Sequence, residues 1–320
     1  MDLDVRHLRA ICVIAEAGSV SRAAVSLGIS QPSLTALLQR VERTLGGELF
    51  VRGRTGVTPT PLGQRALQRA RLVVAELDGF TGDLLQGDPS TTRTLRLGSV
   101  HMECCGSVLD NVVAALPDAE ITMQVEPSGV ALAQALHHDR LDLAVIGMMD
   151  DHEVGLATDL AQRMLVPRVP IFVAIGARHR LADHDEIDLA DLAEDSWISP
   201  PGADDGSLTS LRAACRRAGF VPRIRFEAPT GGGAQLIETG RAIQLVEPTS
   251  VSRGGLVVRR LVGEPLRARL LLAWRRSRVS EPDIERVYLA VARAYVEHAV
   301  DNPTYGPWWA AHPEVHPRTD

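Results

Sequence analysis

The sequence predicts an α/β protein with a small all-α head and a larger body in which strands and helices alternate. Two observations support this prediction. Up to about residue 60 the apolar residues recur at helical spacing, whereas from Leu95 onward short apolar runs alternate with amphipathic stretches. Strands that alternate with helices indicate a mostly parallel sheet, and about 200 residues with about eight strands fit two lobes better than one.

Composition and targeting signals limit the class of protein. Hydrophobic residues make up 45% of the 320 residues and charged residues 23%, as in ordinary globular proteins. No apolar run approaches the roughly 20 residues needed to cross a bilayer. The N-terminus, MDLDVRHLRA, lacks the basic region and apolar core of a secretory signal. We expect a cytoplasmic protein that does not bind membranes.

The charge is distributed unevenly along the chain. Residues 1–65 contain eight arginines and five acidic residues, a balance of +3, and the remainder contains 26 arginines and 35 acidic residues, a balance of −9. The chain has no lysine. A basic head on an acidic body is expected of a protein whose head alone contacts a polyanion.

Two short helices separated by a glycine turn are predicted within residues 19–45. Ser19 can cap the first helix, and Gly28 can end it because glycine adopts positive φ freely. Ser30 can cap the second helix. Its apolar face is expected to comprise Leu34, Leu38, Val41 and Leu45. Such a pair of helices is a helix-turn-helix unit.

A hairpin wing and a long helix are predicted to follow. Arg52 and Arg54 lie at the polar, glycine-broken centre of the wing. After Pro61 an apolar seam at heptad spacing continues to about Leu85. A solitary helix gains nothing from such a seam, so we expect it to pair with a second copy of the chain. Packing on its own domain is the alternative.

The order of four segments carries a family resemblance. AEAGSVSRAA, SQPSLT, LQRVERTLGGELFVR and TPTPLG together resemble LysR-type transcriptional regulators, over about 1–300 and most strongly over 3–63. The resemblance implies a winged helix-turn-helix, a dimerising linker helix and a two-lobed, periplasmic-binding-protein-like effector domain. It also implies a homotetramer that bends promoter DNA and responds to a small molecule, with RNA polymerase as a further partner.

These assignments give the predicted domains. They are the DNA-binding domain at 1–60, the linker helix and hinge at 61–90, the effector domain at 91–302 and a C-terminal tail at 303–320. Lobe I is predicted at about 91–165 and 266–302, and lobe II at about 166–265, with crossovers near Pro167 and Pro265. Trp308 and Trp309 in the tail are too apolar to remain free, so we expect them to pack on a surface.

The start of the second helix of the unit is expected to enter the major groove. The residues nearest the base edges are Gln31, Pro32, Ser33, Thr35 and Ala36. Family members often carry a basic or polar residue where this chain has Ala36. Base reading is therefore assigned to Gln31, Ser33 and Thr35, while Ala36 can touch a thymine methyl group.

Other polar residues of the head are expected to contact the DNA backbone. Arg40 is assigned to phosphate, and Arg52 and Arg54 to phosphate or the minor groove. Ser21 and Ser30 can donate to phosphate. The alternative is that the arginines only form a solvated surface.

Residues 98–105, GSVHMECC, follow the first strand of the body. In open α/β sheets, ligands bind beside strand C-termini and close to helix N-termini, and the family's effector cleft resembles this arrangement. The candidate effector contacts at four such corners are Ser99, Val100, His101, Met102, Ser128, Gly129, Ser199 and Thr230. Backbone N–H groups at helix starts attract anions, so a carboxylate is the favoured effector class.

The same segment suggests a metal site or a thiol switch as alternatives. On a helix Cys104 and Cys105 point about 100° apart, so both do not easily reach one ion. His101 and Cys105 could form half a site, but no second Cys/His pair has the usual spacing. A bond between neighbouring cysteines is strained, and pairing with Cys215 needs a large closure. We expect buried thiols, with no metal and no cofactor.

Two other classes of protein remain as alternatives. A solute-binding protein would need an export signal and would not carry a helix-turn-helix. An enzyme would need a catalytic motif, and the sequence has no GxSxG, Walker loop, nucleotide fingerprint or HExxH. Ser99 and His101 also lack an evident orienting acid. We predict no catalytic residues and a sequence-specific, effector-responsive transcription regulator.

Overall fold

The computed structural model describes most of the chain, in two compact units. The described residues are 4–53, 56–67, 69–70, 73–74, 93–150, 152, 156, 160–200, 206–228 and 232–320. One unit is formed mainly by residues 1–91, and the other by 92–137 and 141–320. Among the described residues, no helix has both the length and the apolar character needed to span a bilayer.

The first unit consists of short helices and a hairpin. Its elements are α1 (Val5–Ala17), α2 (Val20–Ser26), α3 (Gln31–Leu45), β1 (Phe50–Gly53) and β2 (Gly56–Pro59), followed by helical residues 61–67. Asp4 caps α1, because its carboxylate accepts from the Arg6 amide. Gly28, at φ +65°, makes the turn between α2 and α3. The predicted helix-turn-helix and wing are therefore present.

Three apolar positions of α3 form much of the core of this unit. Leu34, Leu38 and Val41 are buried among residues of α1 and α2. Leu45 is 38% exposed, contrary to the prediction. It is the last residue of α3, so the apolar seam ends one turn earlier. Ser19 takes the N-cap position of α2, but its side chain makes no capping bond.

The second unit contains two sheets with helices packed around them. Its strands are β3 (Arg93–Ser99), β4 (Ala119–Val125), β5 (Leu143–Met149), β6 (Leu160–Pro170), β7 (Phe172–Gly176), β8 (Glu186–Ile187), β9 (Ser196–Ser199), β10 (Arg223–Glu227), β11 (Ile243–Val246), β12 (Leu256–Leu261) and β13 (Arg267–Arg275). Its α-helices are α4 (Cys105–Ala115), α5 (Gly129–His137), α6 (Ser207–Arg217), α7 (Ala234–Glu238), α8 (Glu281–Asp301) and α9 (Gly306–Ala311).

Each sheet is mixed, whereas the sequence predicted a mostly parallel one. The strand orders are β4-β3-β5-β13-β6 and β10-β9-β11-β7-β12-β8. In the first sheet β4, β3 and β5 are parallel, and β13 is antiparallel to both β5 and β6. The second sheet is mixed in the same way. In each sheet the strand by which the chain enters from the other lobe, β13 in the first and β7 in the second, runs antiparallel to its two neighbours.

The chain crosses between the sheets close to the expected prolines. β6 and β7 are separated by Ile171 alone and belong to different sheets, so the chain crosses from the first sheet to the second at this residue. β6 contains two prolines, Pro167 and Pro170. It lies at the sheet edge with an irregular register to β13, and proline is tolerated at such a place.

The C-terminal tail packs into the core of the second unit. Trp308 and Trp309 are buried, and their rings contact those of Tyr305 and Tyr295. The Trp308 indole Nε1 donates to Glu264 Oε1 at 2.6 Å. These tryptophans therefore form part of the hydrophobic core, where the sequence suggested only that they cover a surface.

Candidate functional site

The first turn of α3 forms an exposed polar edge. Ser30 is the N-cap, its Oγ accepting from the Ser33 amide at 3.3 Å and lying 2.7 Å from Ser33 Oγ. The residues exposed along this edge are Ser30, Gln31, Pro32, Ser33, Ala36 and Arg40, with Thr35 half-buried. The cap fixes the start of the helix, so these side chains project from a defined position.

Ser21 and Gln31 form a hydrogen bond between the two helices of the unit. Ser21 Oγ donates to Gln31 Oε1 at 3.0 Å. Both residues are exposed. The bond directs the Gln31 amide before any partner arrives, and its Nε2 remains a donor for an outside acceptor. Ser21 thus helps to position the Gln31 side chain, whereas the sequence predicted a phosphate contact for it.

The wing carries the two remaining predicted cations. Arg52 is in β1, where its Cα pairs with that of Val57 in the antiparallel register of the hairpin. The Arg52 side chain and all of Arg54 lie outside the described residues.

A cavity of about 170 Å³ in the second unit is lined by residues of both sheets. The segment after β3 contributes Val100, His101 and Met102. These three were predicted from the position of the segment at a strand end. His101 Nδ1 is buried with no hydrogen-bond partner, so the cavity contains a polar atom available to a ligand.

Four other predicted effector contacts, Ser99, Ser128, Gly129 and Ser199, are not among the residues that line this cavity. Ser99 is 0% exposed, and its Oγ donates to the Val100 carbonyl at 2.8 Å. Ser128 Oγ accepts from the Ala131 amide at 3.2 Å and caps α5. A Cβ at Gly129 would lie 2.4 Å from the Gly147 carbonyl oxygen, so close backbone packing requires glycine there.

Ser199 and Thr230 complete the set of predicted effector contacts. Ser199 is buried, its Oγ donates to the Pro200 carbonyl at 3.4 Å, and it is Pro200 that lines the cavity. Thr230 lies outside the described residues. The hydroxyls of Ser99, Ser128 and Ser199 are therefore used in helix capping and backbone contacts.

Glu247 lines the cavity and was missed by the sequence reasoning. It follows β11, so the rule that selected residues 99–102 at the end of β3 also applies here. Its Oε2 accepts from the Thr249 amide at 2.8 Å, and its Oε1 accepts from Thr249 Oγ1 at 2.5 Å and Ser250 Oγ at 3.2 Å. Burial raises the pKa of Glu247 to about 7, although these hydrogen bonds act to lower it.

The four cysteines, including Cys104 and Cys105 of the 98–105 segment, are free thiols. Cys12, Cys104 and Cys215 are buried and Cys105 is half-buried, and all four are free. Burial raises the pKa of Cys215 to about 12 and raises those of Cys104 and Cys105 as well. Over the part of the chain that the structure describes, no three His, Cys, Asp or Glu side chains cluster as metal ligands.

Two family models match the chain in the order of its two units. The model described as "Bacterial regulatory helix-turn-helix protein, lysR family" matches residues 5–64. The "LysR substrate binding domain" matches residues 89–295. The chain belongs to the LysR family of bacterial transcriptional regulators. As in that family, a helix-turn-helix DNA-binding region precedes an effector-binding domain.

Relatives of this LysR-family chain are regulators by name. The small neutral protease regulatory protein of Streptomyces coelicolor is 37% identical over 308 residues, which cover 96% of this chain and 92% of the relative. BudR of Raoultella terrigena, a helix-turn-helix transcriptional regulator, is 28% identical over 289 residues, covering 86% and 95%.

Solved LysR-family structures share the fold. Full-length BenM superposes with a TM-score of 0.53 at 22% identity, over 92% of this chain and 97% of BenM. HinK of Pseudomonas aeruginosa superposes with a TM-score of 0.51 at 20% identity, over 92% and 99%.

Proposed function

We propose that this LysR-family regulator reads its operator with the exposed edge of α3 and senses an effector in the cavity of its second unit. The capped, solvent-facing start of α3 is the observation that supports the reading site most strongly. Gln31, Ser33 and Thr35 contact base edges, and Ala36 contacts a thymine methyl group. Four further residues hold the helix against the DNA backbone: Ser21, Ser30, Pro32 and Arg40. In the wing, Arg52 and Arg54 contact phosphate or the minor groove.

We further propose that the regulator works in the cytoplasm as a tetramer built from dimers. The apolar heptad positions after Pro61 support pairing through the linker helix. Ala70 is buried in the head, whereas Val73 is 47% exposed and so remains available to a second copy of the chain. RNA polymerase is the further protein partner. An enzyme or a transport protein is disfavoured, since neither needs a DNA-reading helix.

Gln31→Ala is expected to weaken operator binding by about 10-fold to 100-fold, because a bidentate base contact is worth about 1–3 kcal/mol. Binding to unrelated DNA should change little. Fluorescence anisotropy with the DNA upstream of the regulator's own gene, against a scrambled duplex, measures both quantities. Gln64→Ala is the matched control, since Gln64 is exposed outside the α3 edge. An equal loss on both duplexes in the Gln31 variant would contradict base reading.

Arg52→Ala is expected to weaken binding to every duplex to a similar degree. Removal of one phosphate contact should also reduce the slope of log affinity against log salt by about 1, because one fewer counterion is released. Anisotropy titrations at several salt concentrations measure this slope. An unchanged slope would remove Arg52 from the phosphate contacts.

A further inference from the structure

The cavity of the second unit is apolar except for a few groups. Its polar side chains are His101, Ser207, Glu247, Ser250 and Tyr295. The remaining lining residues are aliphatic side chains, methionines, prolines and a glycine. The chain has no lysine, and no arginine occurs among the described lining residues. Among the described residues, the cavity therefore presents one carboxylate to an apolar ligand, with no arginine or lysine to balance it.

The Glu247 carboxylate has room for one more partner. The Thr249 amide, Thr249 Oγ1 and Ser250 Oγ supply three hydrogen bonds, two of them to Oε1. A carboxylate has about four lone-pair sites, so a site on Oε2 remains available. Arg253 does not supply this partner in the structure, because its Nη1 pairs with Glu103 Oε2 at 3.2 Å.

Two backbone amides at the helix start beside the cavity already have acceptors within the protein. The Glu103 amide donates to Thr249 Oγ1 at 3.1 Å, and the Cys105 amide donates to the Met102 carbonyl at 3.1 Å. An effector carboxylate would also meet the Glu247 carboxylate, which lines the cavity and is negative once it ionises. Charges removed from water need a partner of opposite sign. The cavity thus disfavours the carboxylate effector expected from the sequence.

We propose that the effector is a compact apolar amine whose ammonium group binds Glu247 and whose hydrocarbon part fills the cavity between the lobes. This proposal rests on the proposed effector role of the cavity. The ammonium group supplies both a donor for Oε2 and the missing positive charge. A volume of about 170 Å³ suits a single ring, since an engineered apolar cavity of about 150 Å³ holds benzene.

Binding of such an amine should depend on pH. Glu247, whose pKa burial raises to about 7, ionises as the pH rises from 6 to 8, and the ionised form attracts the ammonium group. Amine affinity should therefore increase over this range, whereas carboxylate affinity should decrease. The other titratable or charged groups that face Glu247 or line the cavity are His101, Glu103, Cys104, Cys105, Tyr295 and Tyr305. The Glu247→Gln variant described below isolates the contribution of Glu247 from those of the other groups.

Three probes that share a ring and differ in the head group test the proposal. They are 2-phenylethylamine, 2-phenylethanol and phenylacetate, titrated calorimetrically into the full-length protein at pH 6 and pH 8. At pH 8 the amine should bind at least about 10-fold more tightly than the alcohol, because a hydrogen bond to a charged group is stronger than one between neutral groups. Glu247→Gln should reduce this preference to within about threefold and remove the pH dependence of the preference. Glu227→Gln, on the exposed side of β10, should leave both unchanged.

Several results would overturn the inference. These are tighter binding of phenylacetate than of the amine, an undiminished amine preference in Glu247→Gln, or binding of none of the three probes. If Glu247→Gln does not fold, the relative affinities of the three probes for the unaltered protein still test the proposal. Operator anisotropy on the same samples tests the proposed function separately. A phenylacetate-induced change in operator affinity would support that function and refute the amine, whereas no operator binding at all would refute the function itself.

Discussion

Asp142→Ala is expected to lower the free energy of unfolding of the second unit by about 3 kcal/mol, because removing one partner of a buried ion pair leaves charge uncompensated. Asp142 is 0% exposed at the start of β5. Its carboxylate accepts from Arg96 N, Nε and Nη2 at 2.8, 3.1 and 2.9 Å and from Arg278 Nε at 3.2 Å. One side chain therefore joins β3, β5 and the segment after β13.

Urea denaturation of the full-length protein, followed by tryptophan fluorescence, measures this loss. All 4 tryptophans lie in residues 92–320, so the signal reports on that unit alone. Asp118→Ala, at an exposed position, is the control and should change stability by less than about 0.5 kcal/mol. Equal effects of the two substitutions would show that the Asp142 network does not stabilise the unit.

The stabilisation by Asp142 should also be sensitive to acid. Burial raises the pKa of this carboxyl, but the hydrogen bonds and charge of Arg96 outweigh burial and leave the pKa below its ordinary value. The contribution is therefore present above the ordinary pKa of aspartate, and it is lost as the pH falls through the lowered value.

Glu247 is expected to produce the opposite pH dependence. Its pKa in the folded protein is about 7, against an ordinary value of 4.5, so between these values the folded state binds a proton that the unfolded state does not. Stability should fall as the pH rises from 5 to 8, by about 2–3 kcal/mol more in the unaltered protein than in Glu247→Gln, since each pKa unit corresponds to about 1.4 kcal/mol.

Urea denaturation at pH 5 and pH 8, with and without the substitution, measures this difference. Groups that titrate elsewhere contribute equally to both proteins and cancel in the comparison. Parallel losses of stability in the two proteins would show that Glu247 is not protonated in the folded state near neutral pH.

The head could be predicted from sequence because its signals are local. A serine cap, a glycine at positive φ and an apolar residue at every third or fourth position are sufficient for α2 and α3, and Ser30, Gly28 and Leu34 supply them. The rule that ligands bind at strand ends was similarly sufficient to select Val100, His101 and Met102, which line the cavity.

The remainder of the site depends on contacts between distant parts of the chain. Glu247 is one of several acidic residues beside predicted strands, and only packing around β11 distinguishes it from the exposed Glu227. The roles of Ser99 and Ser128 also follow from neighbouring backbone atoms, which composition and periodicity do not reveal. Antiparallel pairing of β13 similarly depends on where the chain crosses between lobes.

The aromatic tail sets a practical limit on how the sensor half can be isolated. The family model ends at residue 295. However, Tyr295 lines the cavity and shares a 3.2 Å contact between hydroxyl oxygens with Tyr305. Farther along, the Thr319 carbonyl accepts from Arg293 Nε at 3.0 Å. A fragment trimmed to the shared family boundary would lose Tyr305, Trp308 and Trp309, which pack against Tyr295 or one another, so crystallisation or ligand screening of this half should use the chain through residue 320.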